Sequence, residues 1–178
     1  MAQLLGLSDE QITKLIKETG NPERYLLEGQ SLDDENIKFN FNILNLIKKT
    51  GNIEKYLNPY IAKKLNLNNS QINILASESE DINKYLLKGQ KVDDPYLQIG
   101  ILNLIKATGK IEEYLTPEIV KYFNLNIFEI SKLINELEDK TKYLLENQNI
   151  GDKNLTFSMA NIIFATRRVR KIFNTRIY

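Results

Sequence analysis

The chain has 178 residues, 42% of them hydrophobic and 26% charged, with a formal net charge of +1, enough for one domain burying roughly 70% of its extended-chain surface. It has no Cys and no His, which excludes disulfides, thiolate chemistry, a Ser-His-Asp triad and imidazole metal ligands. No apolar run is long enough to cross a bilayer and no charged-then-apolar leader opens the chain, so a cytoplasmic protein is expected.

Read from the N-terminus, LGLSDEQI, LNLNNSQI and FNLNIFEI place Ser8, Asn68 and Asn126 three residues before Gln11, Gln71 and Glu129. That is capping-box spacing, in which each side chain satisfies an otherwise orphan backbone N–H of the other. Leu7, Leu67 and Leu125 are placed to close on Ile12, Ile72 and Ile130 as hydrophobic staples. Ile12, Leu15 and Ile16 continue the first helix as one apolar stripe, and Gly20 stands where it should stop. A second helix is expected to begin near the acidic pairs Asp33–Asp34 and Asp93–Asp94 and near Asp152, with Pro95 at a first helical position. Ile43, Leu44, Leu46 and Ile47 cover more than one face, as do Ile101, Leu102, Leu104 and Ile105, which predicts an inner, buried layer. Gly51 and Gly109 mark further helix ends. Asn58–Pro59 and Thr116–Pro117 signal a short third helix in each unit.

These elements recur. ILNLIKKTGNIEKYL (43–57) returns as ILNLIKATGKIEEYL (101–115) and, degenerate, as MANIIFATRRVRKIF (159–173), an offset of about 58 residues. RYLLEGQSLDD (24–34) returns as KYLLKGQKVDD (84–94) and KYLLENQNIGD (142–152). LIKETGNPERYL also matches LIKKTGNIEKYL, so the chain divides further into six half-units of about 29 residues. Tyr25, Tyr56, Tyr85, Tyr114 and Tyr143 mark five half-units, and Ile172 falls where the sixth would. A unit that cannot bury its own apolar faces stacks on its neighbours. The expected fold is an all-α short solenoid forming a single helical-repeat domain over 1–178, with units 1–60, 61–118 and 119–178. A closed helical bundle is the alternative. The Trp-Leu-Gly-Tyr pattern of tetratricopeptide repeats and the Thr-Pro-Leu-His pattern of ankyrins are absent.

Chemistry finds little support. Thr108–Gly109–Lys110 lacks the earlier glycine and the following hydroxyl of a phosphate loop. The paired carboxylates fit helix starts better than a metal or glycosidase centre, and the Tyr series fits repeated packing sites. No enzyme, metal or cofactor is expected. Asn45, Asn103 and Asn161 lie inside the most apolar helix of each unit, where an unpaired amide is costly. They either tie down an adjacent loop or line a groove that holds an extended peptide; Gln30, Gln90 and Gln148 form a similar, more exposed series.

Departures from the repeat are the other candidates. ENIKFNFN (35–42) is two residues longer than PYLQIG (95–100), and its Phe39 and Phe41 either fill the end of the core or meet a partner. At the far end Gly109, Lys110, Glu112 and Glu113 align with Arg167, Arg168, Arg170 and Lys171; with Arg176 these make a basic terminus in a chain whose only other arginine is Arg24. That terminus reads as a polar cap on the last repeat, a contact for an acidic protein surface, or a weak hold on nucleic-acid phosphate. The resulting expectation is a non-catalytic scaffold binding a protein partner, of adaptor or inhibitor type, with nucleic-acid binding through the basic helix as the rival. The chain opens with Met1 and ends just after a degenerate copy, as expected of a complete small protein such as an immunity factor or a phage anti-defence inhibitor.

Overall fold

The computed structural model describes the backbone of residues 6–33 and 40–174, and their side chains as far as Arg167. Within that range the chain is all-helical: ten α-helices, three 3₁₀ turns and no strand. It divides into two compact units, Met1–Leu86 with Lys91–Leu104, and Leu87–Gln90 with Ile105–Tyr178. This division cuts through the second copy of the repeat.

Each copy opens on a capped helix: α1 (Asp9–Glu18), α5 (Asn69–Ser77) and α9 (Ile127–Glu136). All three capping boxes are closed. Gln11, Gln71 and Glu129 accept from the backbone N–H of Ser8, Asn68 and Asn126 at 2.8, 3.0 and 2.8 Å. The reciprocal bonds from their own N–H groups run at 3.3, 2.9 and 3.1 Å. The residue two before each cap lies in the left-handed region, Gly6 at φ +65°, Asn66 at +53° and Asn124 at +55°, as a sharp turn into a helix requires. A 3₁₀ turn follows each capped helix, at Pro22–Tyr25, Ile82–Tyr85 and Thr141–Tyr143.

The second helix starts later than the acidic pairs suggest: α2 is Ile43–Lys49, α6 Ile101–Ala107 and α10 Met159–Asn174. The carboxylates close turns instead. Asp94 accepts from the N–H of Tyr96 at 2.9 Å, and Asp152 from that of Asn154 at 2.9 Å. Such Asx turns compete with helix initiation, and an extended stretch then leads to the true helix start. Asn42 caps α2 by accepting from Leu44 N–H at 2.8 Å. Its counterpart Gly100 carries no side chain, and a Cβ there would meet the Asn69 side chain at 2.5 Å.

Beyond the glycines at φ +68° and +69° (Gly51 and Gly109), the chain turns into α3 (Ile53–Tyr56) and α7 (Ile111–Tyr114), then α4 (Pro59–Lys64) and α8 (Pro117–Phe123). Asn58 and Thr116 cap the last two ahead of their prolines, as the sequence predicts. In the first unit α2 packs on α5, burying Leu44, Ile47, Leu75 and Ile99. In the second, α10 packs on α8, with Val120, Leu133, Phe157 and Ile162 buried. No helix among the described residues is long and apolar enough to cross a membrane.

Candidate partner-binding surface

The asparagine series is fully engaged inside the protein. Asn45 Nδ2 donates to the Tyr25 carbonyl at 2.7 Å, Asn103 Nδ2 to Tyr85 at 2.7 Å and Asn161 Nδ2 to Tyr143 at 2.8 Å. Each Oδ1 accepts from the backbone opening its own helix: Asn42 at 3.0 Å, Gly100 at 3.0 Å and Ser158 at 2.9 Å. Asn45 and Asn161 also donate to Gln30 and Gln148. Gln30, Gln90 and Gln148 in turn hold the N–H groups of Leu27, Leu87 and Leu145. Three amides therefore perform one task, pinning a 3₁₀ turn to a helix start. A groove-lining role would need them exposed, and all three are buried.

Phe41 is likewise a core residue. It is 0% exposed and stands where Ile99 and Phe157 stand in the later copies, both buried too. Its backbone carbonyl accepts from Thr13 Oγ1 at 3.2 Å. The corresponding Asn73 accepts from Ile99 N–H at 2.9 Å, and Ser131 accepts from Phe157 N–H at 2.7 Å. This second polar ladder escapes a search keyed on identity, because Thr, Asn and Ser tie down the same backbone position with different side chains and different bonds. Phe39 and Arg176 lie outside the described residues, as do the side chains of Arg168, Arg170 and Lys171. Arg167 is exposed. The proposed contact residues are therefore not brought together into one surface among the described residues.

Charged rungs recur as well. In the first unit Glu54 takes both the Lys84 ammonium and the Tyr85 hydroxyl, the latter at 2.6 Å. Burial opposes the Glu54 charge, but the hydrogen bonds from Lys84 and Tyr85 outweigh it and leave the carboxyl below its ordinary range. Burial and the Glu54 bond push the Tyr85 phenol well above its own range. Glu78 takes Lys48 and the N–H of Glu28. In the second unit Lys142 pairs with Glu112, and burial with the Glu112 charge raises the Tyr143 phenol to about 12. Glu136 accepts from Lys88 N–H at 2.7 Å. Each unit also has an open cleft at the matching place, about 320 Å³ beside Lys48, Glu54, Glu78 and Glu80, and about 580 Å³ beside Lys106, Glu112, Glu136 and Glu138. Among the described residues no three carboxylates gather closely enough to hold a metal.

Of the exposed apolar side chains, which include Tyr96 and Leu15, three fall together at the α8–α9 corner. Phe128 is 71% exposed, Tyr122 49%, and Ile127 is exposed beside them. The second copy has Lys64, Asn69 and Ser70 at these positions. Asn124, in the left-handed conformation, and the Asn126 cap hold the corner tightly, so three apolar side chains leave the surface within seven residues. Aligning LNLNNSQI with FNLNIFEI for its differences, as well as its shared caps, exposes the substitution.

No protein-family model, no curated protein and no solved structure matches the chain.

Proposed function

We propose that the chain is a non-catalytic helical-repeat scaffold, its copies stacked as a solenoid, that binds a protein partner through the α8–α9 corner. The observation carrying this is the change of Lys64, Asn69 and Ser70 in one copy to Tyr122, Ile127 and Phe128 in the next, all exposed. The cap and the turn do not require it: the second copy builds both with polar residues, although Tyr122 also sets its ring edge-on to Phe123 at 5.0 Å. Interface centres are enriched in aromatic side chains and depleted of Lys and Ser, which is the direction of the changes at 122 and 128; the change at 127 replaces an amide by an apolar side chain. The recurring asparagines and Phe41 support the scaffold and leave recognition to this corner.

The test is site-specific photocrosslinking in native lysate, with a benzophenone amino acid at position 128 and, as control, at 70. A partner trapped from 128 and not from 70, and lost when Tyr122 and Ile127 become Ser and Asn, is the expected result. Equal labelling from both positions, or none, would overturn the assignment. Affinity that falls steeply with salt and tracks Arg167 would instead favour nucleic acid. Small-angle scattering of the same chain separates an extended solenoid from a closed bundle.

A further inference from the structure

Phe128 changes the charge pattern of its helix as well as its apolarity. Four residues after it on α9 stands Lys132, exposed on the same face. The corresponding pairs are Glu10 and Lys14 on α1, and Ser70 and Ile74 on α5. The first copy thus sets a carboxylate one turn ahead of its lysine, at the spacing and in the order that support a helix. The second copy has neither charge. The third has the lysine again and a ring where the carboxylate stood.

Among the described residues Lys132 has no ion-pair partner. The two carboxylates within a turn of it on α9 serve the helix ends: Glu129 accepts from Asn126 N–H at 2.8 Å and Glu136 from Lys88 N–H at 2.7 Å. On α8, Glu118 and Lys121 stand three residues apart, both exposed, and balance each other. Lys132 also precedes the last turn of α9, the place where the helix dipole favours a cation. In the same compact unit, residues 168–178 contain no Asp or Glu. The apolar corner therefore has one cation beside it that its own helix and its neighbour leave unpaired.

We infer that the partner docked at the α8–α9 corner presents an acidic segment, with an apolar side chain set on Phe128 and an Asp or Glu beside it paired with Lys132. The inference rests on the corner being the partner-binding surface. Residues four apart on a helix have Cβ atoms about 5–6 Å apart, so the partner's anchor and its carboxylate are close neighbours. Opposite charges across an interface speed encounter and penalise partners that bring a like charge. Lys132 then sets specificity where Phe128 supplies adhesion.

The probe is a water-soluble carbodiimide, which joins an amine to a carboxylate in contact with it, applied in the native lysate used for photocrosslinking at 128. Lys132 is expected to couple to an Asp or Glu of the same protein that benzophenone at 128 traps. Lys132→Arg keeps the positive charge and offers no amine, so it should hold trapping at 128 within about twofold while the carbodiimide product disappears. Lys132→Glu should cut trapping at 128 by roughly tenfold or more. Trapping that survives Lys132→Glu would overturn the inference and leave the corner as the binding surface. So would finding Lys132 coupled to no carboxylate, or only to those of this chain, whether Glu118 and Glu129 nearby, Asp34 and Glu35, or their counterparts in a second copy. Should Lys132→Glu lose helix content, the carbodiimide product of the natural chain decides alone. If benzophenone at 128 traps nothing, the binding surface itself is refuted and the acidic partner goes with it.

Discussion

Asn103 and Phe128 show how differently two residues of one repeat protein are constrained. Asn103 is buried, and its amide both receives from Gly100 N–H and donates to the Tyr85 carbonyl. Asn45 and Asn161 do the same in their own copies, so recurrence there records a packing problem solved three times. Phe128 stands exposed on the first turn of a helix whose cap works equally well above Ser70 in the second copy. The cap itself does not call for it, and the contact we propose for it is with something outside the chain.

The contrast breaks most visibly at the lock. Asn103→Leu leaves a buried N–H and a buried carbonyl without partners, each at about 1–3 kcal/mol, so a loss of about 3 kcal/mol is expected by urea denaturation. A loss under about 0.5 kcal/mol, the size of an ordinary surface change, would mean that the lock is ornamental. The caps come next: Asn126→Ala removes the side chain that receives from Phe128 and Glu129 N–H and should cost about 1 kcal/mol.

Smaller still is the rung of Glu54, whose carboxyl sits below its ordinary range in the folded chain. A depressed folded pKa contributes stability that is present above the unfolded value and lost as pH falls through the folded one. Between pH 6 and 3 the wild type should therefore lose more of its urea midpoint than Glu54→Gln does. The difference should stay under about 1 kcal/mol, because the side chain is partly exposed and its pair is screened. Tyr143 works at the other end. Its phenol is raised to about 12, so its contribution holds below the unfolded value near 10 and fades as pH climbs through 12. Tyr143→Phe should flatten that alkaline decline.

Helix starts at Ser8, Asn68 and Asn126 could be read in advance because a cap is a local arrangement between residues three apart, and three repetitions remove coincidence. The start of α2, α6 and α10 could not, because Asp94 and Asp152 serve a turn as readily as a cap, and only the tertiary lock at Asn103 and Asn161 decides where the helix begins. Phe41 misled for a related reason. Counting it within an insertion hid its register with Ile99 and Phe157, which burial makes plain. At the α8–α9 corner the substitutions stood in the same segment that revealed the cap, but pattern matching rewards sameness and passes over Ile127 and Phe128. Exposure, which no periodicity reports for a single helix turn, separated them from core.

The smallest effect on stability carries the most weight for function. Phe128→Ser replaces an exposed ring by a polar residue like Ser70, so the urea midpoint should move by no more than about 0.5 kcal/mol. If the corner is an interface centre, the same change should weaken partner binding by roughly tenfold or more, because truncated aromatic anchors cost upward of about 1 kcal/mol. Asn103→Leu should show the reverse pairing, with a large stability loss and, at temperatures where the variant stays folded, little change in affinity for a partner at the corner. If Phe128→Ser instead unfolds the protein, the ring is packing against something essential and the corner belongs to the scaffold. If it alters neither stability nor binding, the lapse at this copy is neutral drift and the corner carries no recognition.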